Sequence, residues 1–134
     1  MNEYEAKVRD FHVATGSAVD APFSGELLAL RSKLLAEELN ELQHEIERGI
    51  AELAARGDVE RETKLNLLKE MADVQYVLSG MAVTFGLPLE AVFGRVHDSN
   101  MSKLGEDGKP ALREDGKVLK GPRYHPPKLD DLID

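Results

Sequence analysis

The stretch of sequence from Gly25 to Phe85 reads GELLALRSKLLAEELNELQHEIERGIAELAARGDVERETKLNLLKEMADVQYVLSGMAVTF. Apolar residues recur every three or four positions in its first half, which predicts an amphipathic helix with Ser24 as its cap. The pattern ends at Arg56-Gly57-Asp58, and a second amphipathic helix follows, capped by the aspartate of this turn. The stretch therefore predicts two helices joined by a tight turn.

Carboxylates interrupt the apolar stripe of the first of these helices. Leu27, Leu30 and Leu34 form the inward stripe. Its continuation by helical steps reaches Glu38 and Glu41, which are three residues apart and point from one face. The helix therefore carries two acids where apolar residues are expected.

The second helix carries a matching pair beside its own apolar stripe. That stripe is a heptad seam, formed by Leu67, Met71, Val74, Leu78, Met81 and Phe85. Glu70 and Asp73 lie directly beside the seam. Opposed residues of two antiparallel helices have a constant index sum, and Glu38 opposite Asp73 gives 111. Glu41 opposite Glu70 gives the same sum, so the four carboxylates are expected to meet in one patch.

Such a patch predicts a cation. Four converging carboxylates cannot all stay ionised in a partly buried place unless a positive charge compensates them. Ligands that are all oxygens select hard cations, so the sequence predicts Mg²⁺, with Mn²⁺ as the alternative. A single ExxE pair arises by chance in acidic helices and is then solvated. Two pairs that are both inward and in register argue against that explanation.

Two further helices flank this pair. The pattern of residues 4–15 predicts a first helix, and Pro88 is suited to the first turn of a fourth that continues to about Leu104. No block of alternating polar and apolar residues predicts a sheet. The predicted fold class is therefore all-α, with a four-helix-bundle-like arrangement.

The C-terminal segment lacks helical periodicity. Glu106-Asp-Gly-Lys109 recurs eight residues later as Glu114-Asp-Gly-Lys117, and Asp-Gly pairs favour tight turns or a hairpin. We therefore expect a single domain over residues 1–134, with a helical core at about residues 4–104 and an extended, basic tail at residues 105–134.

Composition excludes several classes of function. The 134 residues are 42% hydrophobic and 31% charged, as in one ordinary globular domain. Zero cysteines exclude disulfides, zinc–thiolate sites and thiol nucleophiles. The formal net charge of −8 argues against a nucleic-acid partner. No apolar run is long enough for a membrane span and no signal peptide is recognisable, so we expect a cytoplasmic protein.

Positive charge is concentrated late in the chain. Residues 103–128 carry seven Lys and Arg against four Asp and Glu. Asn100 and Lys103 extend the inward face of the fourth helix, where they could bind phosphate oxygens or, for the lysine, only complement the helix dipole. The tail residues that could close over a polyphosphate, or only keep a loop soluble, are Lys109, Lys117, Lys120 and Arg123.

The order of these motifs resembles a known superfamily. EExxE, then ExxD about thirty residues later, then a helix ending in NxxK is similar to the all-α nucleoside triphosphate pyrophosphohydrolases, the MazG-like and phosphoribosyl-ATP pyrophosphohydrolase-like proteins. The run from Val92 to Lys103 resembles single-domain MazG-like members, including those acting on dUTP. The residues that carry the resemblance are Glu37, Glu38, Glu41, Glu70, Asp73, Asn100 and Lys103.

The resemblance implies Mg²⁺-dependent hydrolysis of a nucleoside triphosphate to the monophosphate and pyrophosphate. It implies metal binding by Glu38, Glu41, Glu70 and Asp73, and phosphate binding by Asn100 and Lys103. Glu37 and Glu38 become the candidate catalytic residues, with Glu37 at the rim, on a further metal ion or assisting the attacking water. The expected substrate is dUTP or another pyrimidine deoxynucleotide, as house-cleaning of the nucleotide pool, and phosphoribosyl-ATP is the alternative.

The heptad seam predicts a partner. A seam of this length exceeds what one small hairpin covers, which favours a homodimer or a dimer of dimers. The alternative is that the first and fourth helices cover the seam within one chain. A non-catalytic helical bundle that binds another protein would also explain the seam, but it would not explain the inward acids.

Overall fold

The computed structural model describes all 134 residues. It contains four α-helices, which are α1 (Glu3–Thr15), α2 (Gly25–Arg56), α3 (Arg61–Phe85) and α4 (Leu89–Met101). A short 3₁₀ helix, Asp130–Leu132, follows near the C-terminus. No β-strand forms, so the predicted all-α fold class is confirmed. Taken singly, none of these helices has both the length and the apolar character needed to cross a membrane.

The helix ends follow the residues that cap them. The Ser24 hydroxyl accepts a hydrogen bond from the Leu27 amide at 3.1 Å, as an N-cap does. Gly57 ends α2 with φ of 78°, a left-handed conformation that glycine adopts without strain. The prediction that Asp58 caps α3 is wrong, because the N-cap is Glu60, two residues later, and α3 begins at Arg61. The Asp58 carboxylate instead accepts from the amide of its own neighbour, at 2.8 Å.

The chain forms two compact units, residues 1–87 and residues 88–134. In the first unit, α3 packs against both α1 and α2. The α2–α3 pair is antiparallel in the predicted register, since the Arg31 guanidinium lies against Gly80. Nearer the turn, a Cβ added at the buried Gly49 would lie 3.9 Å from the Thr63 methyl group. The two helices therefore run close together over most of their length.

The apolar core of the first unit lies at the C-terminal half of α3. The buried apolar residues are Val8, Ala82, Val83 and Phe85. The Phe23 ring stacks on Phe85 with a centroid distance of 4.5 Å. Phe85, the last residue of the predicted seam, is therefore covered by its own chain. The segment after α1 is held here by hydrogen bonds from the amides of Asp20 and Ala21 to α3 carbonyls, at 3.0 and 2.8 Å.

The second unit is built on α4. Arg95 donates to the carbonyl of Lys128 at 2.9 Å and pairs with Asp131 through both of its terminal nitrogens. The Ser99 hydroxyl donates to the carbonyl of His125 at 2.7 Å. The C-terminal segment therefore returns along α4. Gly108 and Gly116, from the two Asp-Gly pairs, have φ of 75° and 90°, and an isolated antiparallel bridge flanks the second of these turns.

One side chain fastens the turn between α2 and α3. Glu52 Oε1 accepts from the Glu60 amide at 3.0 Å, and its Oε2 accepts from the Thr63 hydroxyl at 2.8 Å. The amide hydrogen bond is the largest reason that the pKa of Glu52 lies below its ordinary value of 4.5. A carboxyl whose folded pKa is lowered stabilises the fold above its unfolded pKa, and the stabilisation is lost as the pH falls through the folded value.

We therefore expect Glu52→Gln to lower the melting temperature at pH 7 by a few degrees, since the amide keeps only part of this hydrogen bonding. The difference from wild type should shrink as the pH falls below 4.5, because the carboxyl is then protonated in the unfolded chain while the native Glu52 loses its charge only at the lowered pKa of the folded state. Thermal melts between pH 3 and 7 would measure this, with Glu47→Gln as the control on an exposed acid of the same helix. An equal deficit at pH 3 and pH 7 would contradict the ionised lock.

Candidate metal centre

Four carboxylates converge between α2 and α3. Glu38 and Glu41 come from α2, and Glu70 and Asp73 come from α3. One oxygen from each side chain lies within 4.8 Å of an oxygen of every other. The three-residue spacing on each helix puts each pair on one face, and the antiparallel register puts the two pairs opposite each other. We call these four residues the acidic cluster.

Two oxygens of the acidic cluster lack any hydrogen-bond donor. Glu38 Oε2 and Glu70 Oε2 are buried and make no hydrogen bond. A buried, ionised oxygen without a donor loses its hydration and receives nothing in return, which is costly. A cation between the four side chains would remove this cost. The residues present therefore fit a metal ion.

The donor set also indicates which metal ion fits. All four ligand groups are carboxylates, and such oxygen sets suit hard cations such as Mg²⁺ or Mn²⁺. Opposite ligands of one Mg²⁺ lie about 4.2 Å apart, because each Mg–O distance is about 2.1 Å. The ligand atoms of the acidic cluster lie within 4.8 Å of one another, which is close to that distance.

Lys69 borders the acidic cluster, and the sequence reasoning did not include it. Its Nζ donates to Asp73 Oδ2 at 2.7 Å and to Glu70 Oε1 at 3.5 Å. The hydrogen bond to Asp73, and then the negative charges of Asp73 and Glu70, raise the pKa of Lys69. The i,i+4 spacing between Lys69 and Asp73 was the signal that could have revealed this contact.

Arg31 is a second cation that sequence reasoning missed. It lies on the α2 stripe one heptad before Glu38 and is 8% exposed. Its Nη1 donates to the Thr84 hydroxyl at 3.4 Å, while its Nε is buried without a partner. Burial lowers the pKa of the Arg31 guanidinium. Gly80 makes room for it, since a Cβ there would lie 2.8 Å from Arg31 Nη2.

The remaining predicted site residues lie elsewhere. Glu37 is exposed on α2 and is not part of the acidic cluster. The other predicted site residues belong to the second unit, and they are Asn100, Lys103, Lys117, Lys120 and Arg123. The prediction that α4 continues to about Leu104 is wrong, because α4 ends at Met101 with Ser102 as its C-cap. The catalytic and phosphate-binding roles of these residues stay predictions.

Within the second unit, two of these lysines have defined surroundings. Lys103 is half-buried in the turn after α4, and its amide donates to the Asn100 carbonyl at 3.1 Å. The Lys120 ammonium lies 4.8 Å from the centroid of the Tyr124 ring, a cation–π distance.

A comparison with known protein families identifies a match over most of the chain. A protein-family model described as phosphoribosyl-ATP pyrophosphohydrolase matches residues 8–100, which is 93 of the 134 residues. The matched range contains the whole acidic cluster and Asn100, and it ends before the basic tail. No curated protein matches the chain.

The acidic cluster predicts opposite stability effects with and without metal. Glu38→Gln should raise the melting temperature in chelator by roughly 5 °C, because it removes a buried charge and its repulsion with three neighbours. Millimolar Mn²⁺ should then raise the melting temperature of wild type by several degrees and that of the variant much less.

Thermal shift assays with chelator and with Mn²⁺ would measure both effects. Glu47→Gln is the matched control, since it makes the same change at an exposed position of α2 outside the cluster. If Glu38→Gln gained as much from Mn²⁺ as wild type does, the metal would bind elsewhere.

Proposed function

Because the chain belongs to the phosphoribosyl-ATP pyrophosphohydrolase family, we propose that it hydrolyses a nucleoside triphosphate to the monophosphate and pyrophosphate with the help of Mg²⁺. Membership implies a pyrophosphohydrolase activity. The substrate that we propose is dUTP or another pyrimidine deoxynucleotide, removed from the nucleotide pool.

The observation that carries this proposal is the acidic cluster with its two unpartnered oxygens. A triphosphate carries about four negative charges. An acidic protein binds such an anion only through cations. The carboxylate oxygens between α2 and α3 provide a binding site for such a cation, because they hold a hard cation while leaving part of its coordination open to phosphate.

The proposed role of the acidic cluster is to hold the metal ion. When bound, Mg²⁺ supplies positive charge against the phosphates and makes an attacking water more acidic. Glu38, Glu70 and Asp73 are half-buried, so they would form the inner part of the site, and the exposed Glu41 its outer part.

The chain's own acids would also handle the proton. The attacking water forms a new P–O bond at one of the two phosphorus atoms that flank the bridging oxygen, the bond from that phosphorus to the bridging oxygen breaks, and the other product leaves with the bridging oxygen. Glu37 is exposed next to Glu38 and is the proposed acceptor of the water proton. Asn100 and Lys103 remain proposed phosphate ligands on the resemblance to MazG-like proteins. The tail residues Lys117, Lys120 and Arg123 are proposed to close over the polyphosphate because positive charge is concentrated there.

Two substrates fit this chemistry. The run from Val92 to Lys103 is similar to MazG-like proteins that act on dUTP, which supports the pyrimidine deoxynucleotide. The family whose model matches is described by phosphoribosyl-ATP, which supports that compound as the second candidate. Both carry a triphosphate that is cleaved to a monophosphate and pyrophosphate, so the acidic cluster serves either.

A substrate panel tests the proposal. With Mg²⁺ present, dUTP should yield dUMP and pyrophosphate in equal amounts and no orthophosphate, with dCTP, the other nucleotides and phosphoribosyl-ATP assayed alongside. Asp73→Asn should lower kcat/KM by a factor of about 100 or more, because it removes a metal ligand. Formation of dUDP and orthophosphate would place the protein in a different reaction class.

We propose further that the protein works as a homodimer or a dimer of dimers. The middle of the heptad seam is open in the single chain, since Met71 is 58% and Leu78 is 41% exposed. On the other helix of the pair, Ile50 is 61% exposed. Apolar side chains at this spacing on long helices are what a second copy of the same helix covers.

Light scattering at micromolar concentration would measure the assembly. We expect a mass of twice the 14.8 kDa chain or a multiple of that. Leu78→Glu should shift the protein towards the monomer, because a charge replaces an apolar contact in the seam. Val13→Glu is the control, since Val13 is 68% exposed on α1 and outside the seam. A fully active wild-type monomer would contradict this assembly.

A further inference from the structure

Lys69 is the one basic residue in contact with the acidic cluster. Its Nζ is 2.7 Å from Asp73 and 3.5 Å from Glu70. No other lysine or arginine pairs with any of the four carboxylates. Without metal, the lysine ammonium is therefore the nearest positive charge to these acids.

This contact involves carboxylates that are less exposed than those of the most exposed ion pairs on the helix surfaces. In the i,i+4 pair of Lys7 and Glu3, both side chains are more than two-thirds exposed. The side chains that Lys69 contacts are much less exposed, 35% for Asp73 and 13% for Glu70. Water therefore solvates these two carboxylates less well. The Lys69 ammonium offsets negative charge that water screens poorly.

A metal ion in the cluster would compete with this ammonium. It needs oxygens of the same two residues, and it carries twice the charge of Lys69. The Lys69 side chain is 67% exposed on a flexible stem, so it can leave without any change in the backbone. Binding of the metal thus weakens the attraction that holds Lys69 in its present position.

We propose that Lys69 is a substrate-binding residue that exchanges partners, from the Asp73 carboxylate in the metal-free protein to a phosphate oxygen of the substrate when metal and substrate are bound. This inference rests on the proposed function. The cluster oxygens lie within 4.8 Å of one another, and Nζ already contacts two of their side chains. Phosphate held at the cluster is therefore within reach of the ammonium.

The exchange predicts changes of opposite sign in one variant. Lys69→Gln should bind Mn²⁺ about threefold to tenfold more tightly in the absence of any phosphate, because the competing charge is gone. With Mn²⁺ saturating, the same variant should bind pyrophosphate about tenfold more weakly, because it lacks the charge-assisted hydrogen bond. Lys69→Arg should restore most of the pyrophosphate affinity.

Isothermal titration calorimetry of the full chain would measure both affinities, with Mn²⁺ and inorganic pyrophosphate as the probes. Lys64→Gln is the matched control, since Lys64 is exposed on the same helix and pairs with Asp58 outside the cluster. It should change neither affinity. A merely structural lysine would alter the melting temperature without this pair of opposite shifts.

Other outcomes would overturn the proposal. Weaker Mn²⁺ binding by Lys69→Gln would mean that Lys69 only orients Asp73 for the metal. Unchanged pyrophosphate affinity would mean that Lys69 does not reach the phosphate. If wild type bound neither Mn²⁺ nor pyrophosphate, the proposed function would fail together with the exchange. A wild type that hydrolyses dUTP while Lys69→Gln keeps the same pyrophosphate affinity would refute the exchange alone.

Discussion

The register between α2 and α3 is the constraint on which the candidate site depends. A slip of one residue would move one helix by about 1.5 Å and present side chains rotated by about 100°, so the two acid pairs would no longer face each other. Close contacts at three levels hold the register. Glu52 fastens the turn, Gly49 lies against Thr63, and Gly80 admits the guanidinium of Arg31. The contacts of Glu52 and of Gly80 each need one particular residue at one particular position along the helices.

The same interface is a poor source of stability. Where two helices usually bury apolar side chains, α2 and α3 place carboxylates, and the only residues buried on α2 are Arg31 and Gly49. The apolar residues that are buried lie on α1 and at the C-terminal end of α3. The apolar residues that stabilise the fold therefore lie at one end of α3, while the acidic cluster lies in the middle of the α2–α3 pair. The stabilising core and the candidate site are in different parts of the same helical hairpin.

The sequence predicted what depends on periodicity, and it failed where the outcome depends on a contact across helices. The acidic cluster could be predicted because an i,i+3 spacing and a constant index sum involve only positions along the chain. The buried Arg31 could not, because its place depends on the absence of a side chain at Gly80. The prediction of Asp58 as a cap is wrong because its carboxylate accepts from the adjacent amide of Val59, while the amide of Glu60 donates to Glu52. The contact of Lys69 with Asp73 could have been predicted from their i,i+4 spacing, but exposed lysines at this spacing from an acid are too common to indicate a functional residue.

The two cations near the acidic cluster differ in whether they can move. Arg31 is fixed between the helices about 10 Å from the level of Glu38, with the layer of Leu34 and Val77 between them. At that distance its attraction to the carboxylates is weak, and its burial between the helices keeps it in place. Lys69 contacts the carboxylates through an exposed, flexible side chain, so its charge can be withdrawn.

Without a metal ion, four carboxylates and these two cations leave a local charge of −2. One divalent cation balances that charge while Lys69 stays. If Lys69 withdraws, the cluster recovers a negative charge, and the ammonium becomes available to an anion that arrives with the metal.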